Sequence, residues 1–293
     1  MTPTETALAH VRALSPSAGA VPDAPITVNF HPDRLLADGR DVAQHLADDR
    51  VYRTQYETGI SNGGLGGDRP AWERRMFGDC GTRPVYGALN LAGHPDGAAP
   101  RFGSCHLILR PHVRDRATYS LGDSVTLPQI VGTATTFTAV REGLLAQVTR
   151  TGQALGVTAT SPQQWLAALA APRAHAGRTL DDYVEAQIHG GVTLGDDVAA
   201  LVADPSFRGT ATETRLQALG PPIRWHPGFR LDADAFPADL RGPQIPPLAR
   251  AIARRYREPV LDAAILGRAA RDGDDPQLVK YLWHILVMRG RPA

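Results

Sequence analysis

The sequence predicts an α+β fold, and three observations predict it. Short strand-like and helical runs follow one another irregularly instead of in regular β-α-β order, and glycine- and proline-rich stretches separate them. No internal repeat or convincing linker divides the chain. With 293 residues, 43% hydrophobic and 21% charged, the chain can bury one sizeable core.

Residues 1–25, rich in Ala, Pro, Ser and Thr, read as a mobile leader, and residues 26–293 as one domain. Ile26–Phe30 alternates as a strand, and helical spacing through Leu35, Leu36, Val42 and Leu46 predicts a helix over 34–48. From Tyr52 to Gly81 periodicity is lost, and a long polar, glycine-rich loop is expected, a length that points to function rather than connection. Val85–Leu91, Ser104–Leu109 and Thr118–Ser120 read as strands, and 138–153 and 162–170 as helices. Tyr183–His189 reads as a strand closed by Gly190 and Gly191, and 194–203 as a helix. Three closing helices are expected over 248–256, 260–268 and 277–288.

Composition narrows the chemistry. A net charge of +1 gives no electrostatic case for nucleic acid or an acidic membrane. Lys280 is the only lysine, so lysine Schiff-base chemistry and a Walker A loop are nearly excluded. Two cysteines, Cys80 and Cys105, are too few for a disulfide framework or a cysteine-rich zinc site. A metal site built from His94, His106, His189 and Asp123 is the weak alternative to no metal, because the ten histidines show no recognised zinc spacing. No apolar run approaches the roughly 20 residues that span a bilayer. The amino terminus lacks the basic-then-apolar pattern of a secretory signal, which implies synthesis in a cytoplasm and, if the protein is exported, a route without a cleaved signal. No GxGxxG opens a helix after a strand, and no GxSxG elbow is present.

Three segments spend polar residues and glycines in ways a core does not require. In Tyr52–Gly64, Arg53 with Thr54, Gln55, Glu57, Ser61, Asn62 and Gly63 can form a cradle for a phosphate or carboxylate, an Arg53–Glu57 surface pair being the plainer alternative. In Arg101–His106, Gly103 allows close approach of a backbone or ligand, and Ser104 and His106 share a strand face while Cys105 takes the other. In Tyr183–Gly190, Tyr183, Glu185, Gln187 and His189 share one face of a strand whose other face is apolar. That comb is either plain amphipathicity or the wall of a cleft, suited at a sheet edge to sugar hydroxyls.

These segments, together with Gly67-Asp-Arg69, Trp72-Glu73, Met76-Phe-Gly78, Tyr86-Gly-Ala-Leu-Asn90, Gly122-Asp-Ser124 and Asp204-Pro-Ser-Phe-Arg-Gly209, resemble a bacterial family long described as a domain of unknown function. That family includes effectors of the CteC type, which ADP-ribosylate ubiquitin on threonine. The resemblance runs from about Phe30 to about Arg268. It implies an ADP-ribosyltransferase-like fold of split mixed β-sheets with flanking helices, NAD as the substrate gripped in the cleft, and a protein acceptor, ubiquitin. Residues 26–293 are then the catalytic domain, and the leader is where an effector exported to a host cytosol would carry its signal. Blocked host ubiquitination would be the outcome.

In such enzymes an early arginine, a polar residue on a middle strand and a late glutamate act together, which maps onto Arg53, Ser104 and Glu185. The resemblance implies that Arg53 binds the pyrophosphate with Thr54, Gln55, Ser61, Asn62 and Gly63 around it, that Ser104 orients the nicotinamide ribose, and that Tyr183 or Tyr86 stacks on nicotinamide. Position 183 is Tyr where arginine-type toxins carry Glu or Gln two residues before the catalytic glutamate. The motif therefore reads Glu-x-Gln, and Glu185 is favoured over Gln187 because only a carboxylate adds negative charge beside a developing cation. Glu57 and His189 are the candidate bases for the acceptor hydroxyl. NAD glycohydrolysis and a non-catalytic module that binds ubiquitin or a nucleotide are the alternatives.

Overall fold

An eight-stranded mixed sheet organises the chain. The fold comes from a computed structural model that describes residues 1–59, 69–126, 128–171 and 178–293. The sheet strands are β1 (Ile26–Phe30), β2 (Val85–Leu89), β3 (Cys105–Leu109), β4 (Ala117–Leu121), β5 (Val131–Thr133), β6 (Val184–Ile188), β7 (Val198–Ala203) and β8 (Ile223–Trp225). Their spatial order is β8-β7-β3-β1-β2-β6-β4-β5. Every pairing is antiparallel except β7 with β8, which is parallel.

Around the sheet lie helices α1 (Pro3–Leu14), α2 (Val42–Asp49), α3 (Arg69–Phe77), α4 (Thr138–Thr151), α5 (Pro162–Leu169), α6 (Ala211–Ala218), α7 (Ile245–Tyr256), α8 (Ala263–Arg271) and α9 (Pro276–Arg289). Among the described residues no helix is long and apolar enough to cross a membrane. The molecule is thus mixed α+β with a large mixed sheet and flanking helices.

Three expectations change at the level of local structure. The stretch expected to be a leader contains α1, started by a capping box in which the Thr2 hydroxyl accepts from the Glu5 amide and the Glu5 carboxylate accepts from the Thr2 amide. Ala7 and Val11 of this helix are buried against Trp72, Met76 and Phe77 of α3 and Val131 of β5. The helix expected from residue 34 begins only at Val42, capped by Asp41, because Asp38-Gly39 makes a turn in which Gly39 holds a φ of 81° and the Leu36 amide bonds back to the Arg40 carbonyl.

The third change concerns 194–203. Only Leu194–Asp197 forms a helical turn, and Val198–Ala203 is a strand. The run Val-Ala-Ala-Leu-Val-Ala satisfies helical and extended spacing equally, and the pairing of β7 with β3 on one side and β8 on the other decides it.

The face of the sheet that carries Val28, Leu107, Tyr119, Val184, Ala186 and Ile188 is apolar and belongs to the main core. The opposite face carries Thr27, Asn29, His106, Thr118, Ser120, Glu185 and Gln187, all buried. Thr118, Ser120, Glu185 and Gln187 on this face hydrogen-bond to one another, and Thr27 and Asn29 bond to neighbouring backbone.

Candidate active site

The sheet comes apart at one place. Strand β1 pairs with β2 only at Ile26–Leu89 and Thr27–Ala88, while its other side stays paired with β3 as far as Phe30. Asn29 and Phe30 on one side and Val85, Tyr86 and Gly87 on the other line a cleft of about 320 Å³. A Cβ on Gly87 would stand 2.7 Å from the Thr27 carbonyl oxygen, so glycine is what keeps the two strands close at the point where they part. The remaining walls come from α2, from the segment Val51–Gln55, and from the faces of α8 and α9 that carry Leu266, Ala270, Lys280 and Trp283.

Glu185 opens onto this cleft from β6, the strand flanked by β2 and β4. It is not at an edge. Alternation along 183–189 fixes which side chains share a face but says nothing about how many neighbours a strand has. Glu185 Oε1 accepts from Gln187 Nε2 at 2.9 Å, and Oε2 accepts from the Ser124 amide at 3.4 Å. Gly122, with a φ of 86°, makes the turn that brings Asp123 and Ser124 over the end of β6. Among the described residues no basic side chain pairs with Glu185. Burial first, and the neighbouring Asp123 carboxylate second, raise its pKa to about 7, against the lowering effect of the Ser124 and Gln187 hydrogen bonds.

Behind Glu185 a chain of polar side chains runs from Gln187 to His189. The Thr118 hydroxyl donates to Gln187 Oε1 at 2.8 Å, and Gln187 Nε2 also donates to Ser120 Oγ at 2.9 Å. The hydroxyl proton of Thr118 is thereby committed, so its lone pair receives the Nε2–H of His189 at 3.1 Å. His189 is buried, with its ring 5.1 Å from and nearly perpendicular to Phe77, and burial together with Arg116 lowers its pKa to about 4.

The remaining sequence candidates divide accordingly. Arg53, Thr54, Gln55, Tyr86 and Glu185 line the cleft. Ser61, Asn62 and Gly63 lie outside the described residues. Glu57 does not line the cleft, because its carboxylate accepts from the Thr54 amide at 2.7 Å and the Thr54 hydroxyl at 2.8 Å, closing the capping box of the single turn Gln55–Thr58. Arg53 turns its Nε to Asp49 Oδ2 at 2.6 Å. Tyr86 donates its hydroxyl to Glu73 Oε1 at 2.7 Å, and its ring contacts Trp72.

Ser104 is buried, and its hydroxyl meets His31 Nδ1 at 3.4 Å, so it bears on the cleft only through His31. Tyr183 is buried edge-on against Phe102 and does not line the cleft. Gln187 and His189 lie behind Glu185. Gly103 makes the close approach expected of it, to backbone: a Cβ there would lie 2.0 Å from the Phe30 carbonyl carbon. His94, His106, His189 and Asp123 do not converge: His94 is bonded to the Leu155 carbonyl, His189 to Thr118, and Asp123 faces Arg101 at 3.7 Å. Among the described residues no group of three metal-type ligands comes together.

Sequence reasoning gave no role to His31, Arg34 and Lys280, which line the cleft, or to Arg101, although Arg101 opens a segment that it singled out. None belongs to a motif with a mechanism of its own. The signal present was the uniqueness of Lys280 in an arginine-rich chain and its spacing with Pro276, Val279 and Trp283 along one helix face.

Fold and site together define a mixed α+β protein whose sheet parts around a cleft floored by a buried carboxylate that no basic side chain pairs among the described residues. The chain belongs to the family described as protein of unknown function (DUF3626), whose model matches residues 25–289. It is similar to the Gene 2 protein of Mycobacterium phage D29, with 36% identity over 96 residues, 32% of this chain and 33% of that protein. It is also similar to the Gene 2 protein of Mycobacterium phage L5, with 28% identity over 161 residues, 55% of this chain and 61% of that protein. The chain thus spans less than two thirds of the length of either phage relative.

Proposed function

We propose that the chain is a mono-ADP-ribosyltransferase that moves ADP-ribose from NAD to a protein acceptor, a threonine of ubiquitin being the acceptor that the sequence resemblance suggests. The observation that carries the reading is Glu185. It is a buried carboxylate on a central strand, facing a cleft, held by neutral donors and by no basic partner among the described residues. A negative charge placed in this way is available to a cation that forms during reaction.

In this mechanism the bond from the ribose anomeric carbon to nicotinamide nitrogen breaks first, and nicotinamide leaves with the bonding pair. Glu185 accepts a hydrogen bond from the ribose 2′-hydroxyl and lies beside the oxocarbenium-like centre. The acceptor hydroxyl oxygen then bonds to that carbon and gives up its proton. Neither Glu57 nor His189 faces the cleft, and Glu185, which does and has a pKa near 7, takes the proton. Tyr86 and the exposed Phe102 supply aromatic surface at the cleft for the nicotinamide ring.

The test is incubation of the purified protein with NAD and ubiquitin, read by intact-mass spectrometry. The expected result is one ADP-ribose added to ubiquitin, abolished by Glu185→Gln. NAD consumed with ubiquitin unmodified moves the acceptor to water or to another protein. NAD left intact overturns the transferase reading.

A further inference from the structure

The cleft holds two basic side chains that the structure leaves without a counter-ion. Arg34 and Lys280 both line it, and neither has an acidic or hydrogen-bonding partner among the described residues. Both are half-buried. The other basic groups on its walls are engaged: Arg53 with Asp49, and Arg101 with Asp181 and Asp123. Of the carboxylates nearby, Asp33 is held by Arg271 at 2.9 Å.

We propose that Arg34 and Lys280, with His31 beside them, form a subsite for a phosphoanion, the pyrophosphate of a nucleotide. Only the identity of that nucleotide as NAD rests on the function proposed above; the anion subsite does not.

Three features carry the assignment. Two uncompensated cations in one partly desolvated cleft repel each other, and a dianion entering between them removes that cost while making charge-assisted hydrogen bonds. The repulsion is visible in the groups themselves: burial first, then the Arg101, Arg34 and Arg241 guanidinium groups, hold Lys280 below the ordinary lysine range, with Asp123 opposing. Burial first, then Arg34 and Lys280, which line the same cleft, push His31 down to about 3. His31 therefore enters the site as a neutral imidazole able to donate one hydrogen bond, and Trp283, 5.1 Å away and edge-on, fixes its plane.

Lys280 presents a point charge and Arg34 a planar fork, the pairing of donors that suits a diphosphate. The amides at the start of α9 do not contribute, since Asp275 already accepts from Gln277 and Leu278. The assignment moves the pyrophosphate contact from Arg53 to residues outside the glycine-rich loop.

The experiment measures binding of inorganic pyrophosphate to the full chain by titration calorimetry at low salt. Wild-type protein should bind, Arg34→Gln and Lys280→Gln should each weaken binding at least about tenfold, and Arg34→Lys should restore part of the loss. Arg150→Gln, an exposed site on α4, controls for general loss of positive charge and should bind as wild type does. Failure of the wild type to bind, or equal binding by wild type and both glutamine variants, overturns the subsite. A thermal melt accompanies each variant, and if Arg34→Gln does not fold, Lys280→Gln decides the matter alone. NAD turnover separates the two proposals. No turnover with the expected pyrophosphate pattern sinks the transferase reading and leaves the subsite standing, whereas turnover that ignores both substitutions sinks the subsite.

Discussion

Gln187 Nε2 lies 2.9 Å from Glu185 Oε1, on the same face of the same strand, and the amide is held in this orientation because Ser120, whose own proton goes to the Gly122 carbonyl, accepts from its nitrogen. Gln187 is therefore a positioning residue that also favours the charged form of Glu185. A hydrogen bond to a charged group contributes about 1.5–3 kcal/mol, or about one to two pKa units. In Gln187→Ala the apparent pKa that controls NAD turnover should rise from about 7 to 8 or above. The loss at pH 7 should be recovered at pH 9. A uniform loss at every pH would show that Gln187 has only a packing role.

For Glu185 itself the sign of the pH dependence follows from its raised pKa. The carboxylate is required ionised, so turnover should climb as pH rises through about 7 and flatten above it. Glu185→Gln keeps the shape and both neighbours but cannot carry the charge. It should cost about 10²–10³ in kcat and lose the climbing limb. Rate against pH for both proteins, measured by nicotinamide release, checks this.

The strand carrying Glu185 was legible from sequence because Val-Glu-Ala-Gln-Ile alternates without exception, and its apolar and polar faces are as expected. Its central position was not legible. A central strand with one polar face and an edge strand have the same period, and only pairing with β2 and β4 separates them. The motif Gly122-Asp-Ser124 was visible as a turn, but its contact with Glu185 spans 61 residues of sequence. Likewise Arg34 and Lys280 line one cleft from opposite ends of the chain, and each in its own neighbourhood looks like an ordinary solvent-facing charge. Local patterns reported faces and turns; the site depends on long-range pairings, which local patterns do not encode.

His284 gives a separate handle on acid stability. It is buried on α9, and among the described residues neither ring nitrogen has a hydrogen-bond partner. Burial first, then Arg241, Arg101, Lys280 and His31, lower its pKa to about 3 from an ordinary 6.5. A histidine depressed in the folded state supports stability above its unfolded pKa and withdraws that support as pH falls below 6.5. At pH 5.5 the cost is about 1.4 kcal/mol per such group. His284→Leu removes a partnerless imidazole and should match wild type at pH 8 while melting about 2 °C higher at pH 5.5. Melting curves at the two pH values would show equal shifts at both if the effect were one of packing alone.

Gly103 and Gly195 make opposite predictions from the same substitution. Neither lies in the left-handed region, Gly103 being extended, so alanine is conformationally allowed at both. At Gly103 the new methyl group would stand 2.0 Å from the Phe30 carbonyl carbon and 2.2 Å from its oxygen. Backbone cannot step aside there without breaking the pairing of Phe30 with Cys105, which holds β1 to β3 at the cleft. Gly103→Ala should therefore cost about 3 kcal/mol or more, the upper range for overpacking, and reduce soluble yield. Nothing lies within 4 Å of a Cβ on Gly195, which is exposed in the Leu194–Asp197 turn. Alanine there restricts the unfolded chain and should add about 0.4–1 kcal/mol. Urea unfolding of the two variants beside wild type measures both, and a stable Gly103→Ala would mean that β1 and β3 are not as tightly joined at Phe30 as this geometry requires.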